Sequence, residues 1–105
     1  MIYILMNVIA RKNLVEFYTA RPKAKASLTR WYEVVRTAEW KSMNDVQAAF
    51  ANAKVLNAER VRFEVGGGNY RLIVAFNFRC KIAFIKFVGT HGEYDKIDAL
   101  TVSQF

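Results

Sequence analysis

The spacing of apolar and polar positions divides the chain into an extended start, a helical first half and an extended second half. Ile2, Tyr3, Ile4, Val8 and Ile9 crowd Met1 to Ala10 with β-branched and aromatic side chains, which predicts a strand. That segment lacks the basic lead-in and small-residue cleavage site of a signal peptide and is too short to span a bilayer; Met6 is an alternative translation start. From about Lys12 to Ala20, Leu14, Phe17 and Tyr18 fall at i, i+3 and i+4, the spacing of one helix face. Pro22 is tolerated in the first turn of a second helix, where Leu28, Trp31, Tyr32, Val35 and Ala38 form one apolar stripe, with Lys23, Arg30, Glu33 and Arg36 away from it. Ser42 is placed to cap a short third helix over Met43 to Phe50.

After Val55 the period changes to two. In Arg60 to Val65, Arg60, Arg62 and Glu64 alternate with Val61, Phe63 and Val65, and Gly66, Gly67 and Gly68 supply the positive φ angles of a hairpin turn. Asn69 to Phe78 and Lys81 to Val88 read as two further strands, joined by a tight turn at Arg79 and Cys80. Because a slip of one residue turns a whole side-chain set over, matching the apolar sets predicts the register. Val65 should face Tyr70, Phe63 Leu72 and Val61 Val74, with Glu64 across from Arg71 and Arg62 across from Ile73. Pairing Phe78 with Lys81 then sets Leu72 against Phe87, Val74 against Ile85, Lys86 against Ile73 and Arg71 against Val88. The expected fold is α+β: one domain over residues 1–105, with an N-terminal strand, two to three helices, and an antiparallel sheet whose apolar side receives the helices.

Composition changes this picture in one respect. The 105 residues are 53% hydrophobic and 14% aromatic, enough for a real core, yet carry a net charge of +7, which favours nucleic acid, an anionic membrane surface or an acidic protein as partner. One cysteine, Cys80, and one histidine, His91, exclude an internal disulfide and a zinc cluster and suit a reducing cytoplasm. Residues 60–86 hold six of the basic residues against one acid, Glu64. Parity gathers Arg60, Arg62, Arg71 and Lys86 on the side of the sheet away from the helices, with Arg71 in a shallow groove among Ile73, Ala75, Ile82 and Phe84. Such a face can simply be solvated. Arginine, however, binds phosphate through a planar fork, which favours an anion site.

The polar segment Gly89 to Lys96 follows the last strand and contains His91 and Tyr94. An imidazole, a phenol and the cations Arg60, Arg62 and Arg71 form a set suited to cutting RNA: proton transfer from the first two, and stabilisation of a charged phosphorane by the others. The ribose 2′-hydroxyl can be the nucleophile, so neither metal nor other cofactor is required. Glu93, Asp95 and Asp98 are the only alternative magnesium set, but their spacing of i, i+2 and i+5 on one short segment cages a cation poorly. Asp95 and Lys96 are expected to bond to loop backbone or to each other, Trp31 and Trp40 to be core and rim aromatics, and the glycine triplet to be a turn, since no Lys and Ser or Thr pair follows it.

The run Asn69, Tyr70, Arg71, Leu72, followed by Val88, Gly89, Thr90, His91, Gly92, Glu93, Tyr94, Asp95, Lys96, Ile97, resembles the HigB-type toxins of the RelE superfamily. The likeness extends from Val8, Ile9, Ala10, Arg11 through Trp31, Tyr32 and Ala38, Glu39, Trp40. It implies a small cytoplasmic bacterial endoribonuclease that cuts messenger RNA on the translating ribosome without a metal, and that is held inactive by an antitoxin, usually a helix-turn-helix protein. By the same resemblance Arg71 matches the contact to the scissile phosphate, Arg60 and Arg62 lie on a strand that carries basic catalytic residues, and Tyr94 falls near a catalytic tyrosine. His91 stands where many relatives use arginine, and Lys86 and Lys96 are further candidates for binding RNA phosphate. The residues ahead of Met6 and the Ala99 to Phe105 tail depart from the family pattern and are expected not to touch the site. Two other functions suit a basic domain of this kind, a non-enzymatic RNA binder or gyrase inhibitor like the ParE relatives, and a structural protein of the ribosome. Neither needs His91 and Tyr94 beside arginines, and no feature supports a membrane role.

Overall fold

The computed structural model describes residues 5–105. β1 (Asn7–Ile9) leads into α1 (Arg11–Ala20), a 3₁₀ turn at Pro22–Ala24 opens α2 (Lys25–Arg36), and α3 (Met43–Ala49) follows. Next come β2 (Lys54–Val55), β3 (Arg60–Val65), β4 (Tyr70–Asn77), β5 (Ile82–Thr90) and the one-turn α4 (His91–Tyr94). The strands form one sheet in the order β1-β5-β4-β3-β2, antiparallel except where β1 runs parallel to β5. This is the expected α+β architecture. Of the strand expected at the start, Asn7–Ile9 is seen, and Ile2, Tyr3 and Ile4 lie outside the described residues.

The helices pack on one side of the sheet. Leu28, Trp31 and Val35 of α2 are buried with Leu14 of α1 and Val46 of α3 against Val61, Phe63, Leu72, Val74 and Ile85. The Trp31 ring meets Phe63 edge-on at 5.5 Å, while Trp40 packs at the rim on Phe50 and Phe76. Burying side chains of this size is the main term holding helices to sheet, at roughly 1.5–3 kcal/mol each. Ser42 does precede α3, but its hydroxyl makes no capping bond. Asp45, in the first turn, reaches back instead and accepts from the Lys41 N–H at 2.8 Å.

The first hairpin has the expected register at every pair from Val61↔Val74 to Val65↔Tyr70. Glycine is required at its turn on two counts at Gly66: φ is +61°, and a Cβ there would stand 2.6 Å from Tyr70 Cδ2. The second hairpin follows expectation only halfway. Its turn lacks the usual turn residues, but Asn77 Oδ1 accepts from the Cys80 N–H at 2.9 Å and Lys81 takes φ 57°. Asn77↔Ile82 through Val74↔Ile85 pair as expected, and then the ladder slips: Ile73 meets Phe87, Leu72 meets Val88 and Arg71 meets Gly89. The expected pairs Leu72 with Phe87, Ile73 with Lys86 and Arg71 with Val88 therefore do not form. Lys86 is the extra residue of a β-bulge, and beyond it every side chain of β5 changes side. Val88 joins the core and Phe87 leaves it.

Candidate active site

The bulge builds the floor of the site. Phe87, turned onto the outer side, is 4% exposed, and the Tyr94 ring lies over it with centroids 6.4 Å apart. Gly89, two residues on and on the same side, leaves the space the Phe87 ring needs, since a Cβ there would sit 2.6 Å from Phe87 Cζ. α4 is fixed above this floor by a capping box: Thr90 Oγ1 accepts from the Glu93 N–H at 3.1 Å, and Glu93 Oε1 accepts from the Thr90 N–H at 2.9 Å. The His91 N–H donates to Asn69 C=O at 3.1 Å, tying the start of α4 to the glycine hairpin.

The Thr90 N–H holds the Glu93 carboxyl below its ordinary value of 4.5, against partial burial, with help from the Thr90 hydroxyl and the Arg21 and Lys96 charges. A depressed carboxyl stabilises the fold above the unfolded value, and that contribution is lost as pH falls through the folded one. We therefore expect α4 to loosen first as pH drops below 4.5. The protection factors of the Glu93 and Tyr94 amides, taken relative to intrinsic exchange at each pH, should fall in that range while those of β4 hold, and Glu93→Gln should abolish the change. Protection factors that stay constant down to the pH at which the whole fold is lost would contradict it.

Glu64 organises the cations. Its Oε1 lies 3.3 Å from Arg62 Nη2 and 3.5 Å from Arg71 Nη2, so one carboxylate holds two guanidinium groups. Arg71 is 7% exposed, and its Nη1 donates to the Gly68 and Tyr70 carbonyls. Arg62 sits against Tyr94, its Cζ 5.7 Å from the ring centre, and its Nε is buried with no acceptor among the described residues. The anion expected beside Arg71 is thus supplied in part by the protein itself. Arg62, Arg71 and Tyr94 come together as the sequence suggested, and Glu64 is the partner that pairwise register only half revealed. The basic concentration over residues 60–86 divides: Arg79 and Lys81 belong to the β4–β5 turn, at the opposite end of the sheet from α4.

His91 Nδ1 lies 3.1 Å from Asp95 Oδ2, one helical turn on. Asp95 was expected to bond to backbone or to Lys96, and it instead orients the imidazole. In the neutral imidazole, an acceptor at Nδ1 favours the tautomer with its proton there and its lone pair on Nε2. The three tail carboxylates do not converge: Glu93 serves the capping box, Asp95 holds His91, and Asp98 Oδ1 accepts from the Leu100 N–H at 3.0 Å. Lys96 is exposed just after α4, and Lys86 extends over the Phe84 ring, its Nζ 5.4 Å from the centre.

The tail corrects a further expectation, that residues Ala99 to Phe105 stay clear of the site. Arg60 Nη1 donates to Ala99 C=O at 3.0 Å and Val102 C=O at 2.8 Å. Gln104 then clips onto β5, its N–H donating to Lys86 C=O at 2.8 Å and its Oε1 accepting from the Val88 N–H at 3.0 Å. The tail thus crosses the outer side between β3 and β5, which accounts for Ile73 being fully buried and Ala75 nearly so on the side away from α1, α2 and α3. Arg60 anchors this strap and stands apart from the Arg62, Arg71 and Tyr94 group. The strap had no periodicity to announce it. The His91 and Asp95 contact did have a signal in the i, i+4 spacing that places two side chains on one helix face.

The model of the RelE-like toxic component of a toxin–antitoxin system, the HigB toxin family, matches residues 24–97. The mRNA interferase HigB of Escherichia coli O6:H1 is 30% identical over 95 residues, covering 88% of this chain and 91% of that protein. These two matches make the chain a member of the HigB family of RelE-like toxins.

Proposed function

We propose that this chain is an endoribonuclease that cuts messenger RNA on the translating ribosome, with the RNA's own 2′-hydroxyl as nucleophile, and that an antitoxin, of helix-turn-helix type by the family resemblance, holds it inactive. The observation that carries this reading is the cluster, at one end of the sheet, of two partly shielded guanidinium groups on a single carboxylate with Tyr94 over one of them, and an Asp-paired His91 in the same one-turn helix as Tyr94. Glu64 leaves Arg62 and Arg71 jointly one positive charge in excess, partly shielded from water, where an incoming phosphate is held more strongly than at an open surface.

In this mechanism His91 Nε2 takes the proton from the 2′-hydroxyl as its oxygen bonds to phosphorus. The bond from phosphorus to the 5′-oxygen breaks and the departing oxygen takes a proton from water, leaving a 2′,3′-cyclic phosphate and a 5′-hydroxyl, while the protonated His91 returns its proton to solvent. Arg71 and Arg62 face the equatorial oxygens as charge develops on them, and the Tyr94 hydroxyl is a further donor at that position. The family relative's name, mRNA interferase, accords with this substrate. Lys86 and Lys96 contribute phosphate contacts outside the reacting group. The steps use only side chains, without a metal. No helix among the described residues is long and apolar enough to cross a membrane.

Inducible expression in a bacterium tests the reading. Growth should stop with transcripts cut within translated regions, and His91→Ala should restore growth. Arrest with intact transcripts and altered DNA supercoiling would instead mark a gyrase inhibitor.

A further inference from the structure

On the edge of the sheet away from β1, the end of β3 nearest the glycine hairpin extends past its neighbour. β2 pairs only Lys54 with Arg62 and Val55 with Val61, whereas β3 continues to Val65. Arg60 C=O accepts from the Leu56 N–H at 2.8 Å on this edge, so by the alternation of a strand the main-chain N–H and C=O of Glu64 face the same way, beyond the end of β2. Beside them the chain between α3 and β2 stands off from β3 and leaves a cavity of about 280 Å³. Trp31, Phe50 and Phe63 line it, with Ser27, Arg30 and Asn52. Trp31 is fully buried, and its indole N–H has no acceptor among the described residues.

An open strand edge beside an apolar cavity suits one kind of occupant, an extended peptide that adds a strand. Parity says how it would sit. A residue opposite Phe63 or Val65 projects to the helix side, where the cavity lies, and one opposite Glu64 projects to the other side. Arg30 and Lys54 are exposed next to this edge and favour acidic residues in the segment. We propose that the β3 edge and this cavity bind an extended segment of the antitoxin, which pairs with Glu64 and seats an apolar side chain flanked by acidic residues against Phe50, above the buried Trp31. The inference rests on the chain's being the toxic half of a toxin–antitoxin pair. It places this contact on the side of the sheet away from His91 and Tyr94, yet joins it to the active cluster through Glu64, whose carboxylate holds Arg62 and Arg71.

Ala49 and Ala51 line the cavity, are exposed, and take no part in the cation cluster, so Ala49→Trp and Ala51→Trp obstruct the cavity with little demand on the core. With the purified cognate antitoxin as probe, each variant should bind at least about tenfold more weakly while the free toxin cleaves RNA as before. In the wild-type complex the Trp31 indole resonance should shift and exchange at the Glu64 amide should slow at least about tenfold relative to the free toxin. Wild-type affinity in both variants, or Trp31 and Glu64 signals unchanged in the complex, would overturn the proposal. So would shifts of the same signals with toxin concentration alone, which would assign the edge to a second copy. Absence of RNA cleavage by the wild type would sink the nuclease reading but leave the binding result standing.

Discussion

Replacing His91 by alanine is expected to slow cleavage of messenger RNA by about 10²- to 10⁴-fold, the range associated with loss of a general acid or base, without unfolding the protein. His91 is more than half exposed, and among the described residues its side chain pairs only with Asp95, itself exposed, so the substitution removes chemistry and almost no packing. Asp95→Ala should cause a smaller loss, confined to kcat, because the imidazole remains but no longer presents Nε2 in one orientation. The two effects should not add: in the double variant Asp95→Ala costs nothing further, since it acts only through His91. Single-turnover cleavage with saturating ribosome complexes separates these outcomes from weakened binding. A His91→Ala protein as fast as wild type would remove the imidazole from the mechanism.

Arg71→Ala is expected to cost about 10²- to 10³-fold, as when a preorganised donor to a developing oxyanion is lost. Arg71→Lys should recover little of it. Arg71 reaches the Gly68 and Tyr70 carbonyls with Nη1 while its Nη2 approaches Glu64, a geometry that needs the planar fork and that an ammonium cannot reproduce. Both variants leave Glu64 with Arg62, so its carboxylate is not stranded and the fold should persist. Circular dichroism checks that point. If Arg71→Lys cleaves at the wild-type rate, a single positive charge suffices and the forked contact is unnecessary. Arg60→Ala offers a contrast: because Arg60 holds the tail at Ala99 and Val102, its loss should act through the strap and be smaller than that of Arg71.

How far the sequence reached differs between the two hairpins. The first was legible residue by residue because β3 alternates without interruption and a glycine triplet fixes its turn, so parity left one register. The same argument failed in the second beyond Val74, since it assumes one residue opposite one, and a bulge at Lys86 breaks that assumption without any marker in composition. The failure falls where the site is made: the slip turns Phe87 outward to seat Tyr94 and brings Gly89 opposite Arg71. The residue types of the candidate site were proposed from the sequence because arginine, histidine and tyrosine together suit phosphate chemistry, and the fold brings Arg62, Arg71 and Tyr94 into one cluster. Their partners were less legible. Glu64 was matched to Arg71 across the ladder, but its contact with Arg62, two residues along its own strand, depends on rotamers and not on register. The tail, short and aperiodic, takes its course from hydrogen bonds of Gln104 and Arg60 to main chain, which no side-chain pattern encodes.

The end chemistry of cleaved RNA tests the central claim most directly. Ribosomes programmed with a defined message are treated with the purified toxin, and the upstream fragment is examined for its terminal group. Attack by the neighbouring 2′-hydroxyl predicts a 2′,3′-cyclic phosphate or its hydrolysis product, together with a 5′-hydroxyl downstream, and no cut where the nucleotide before the scissile bond carries a 2′-deoxyribose. An uncut message, or an upstream fragment ending in a 3′-hydroxyl as water-mediated two-metal cleavage leaves it, would contradict the account.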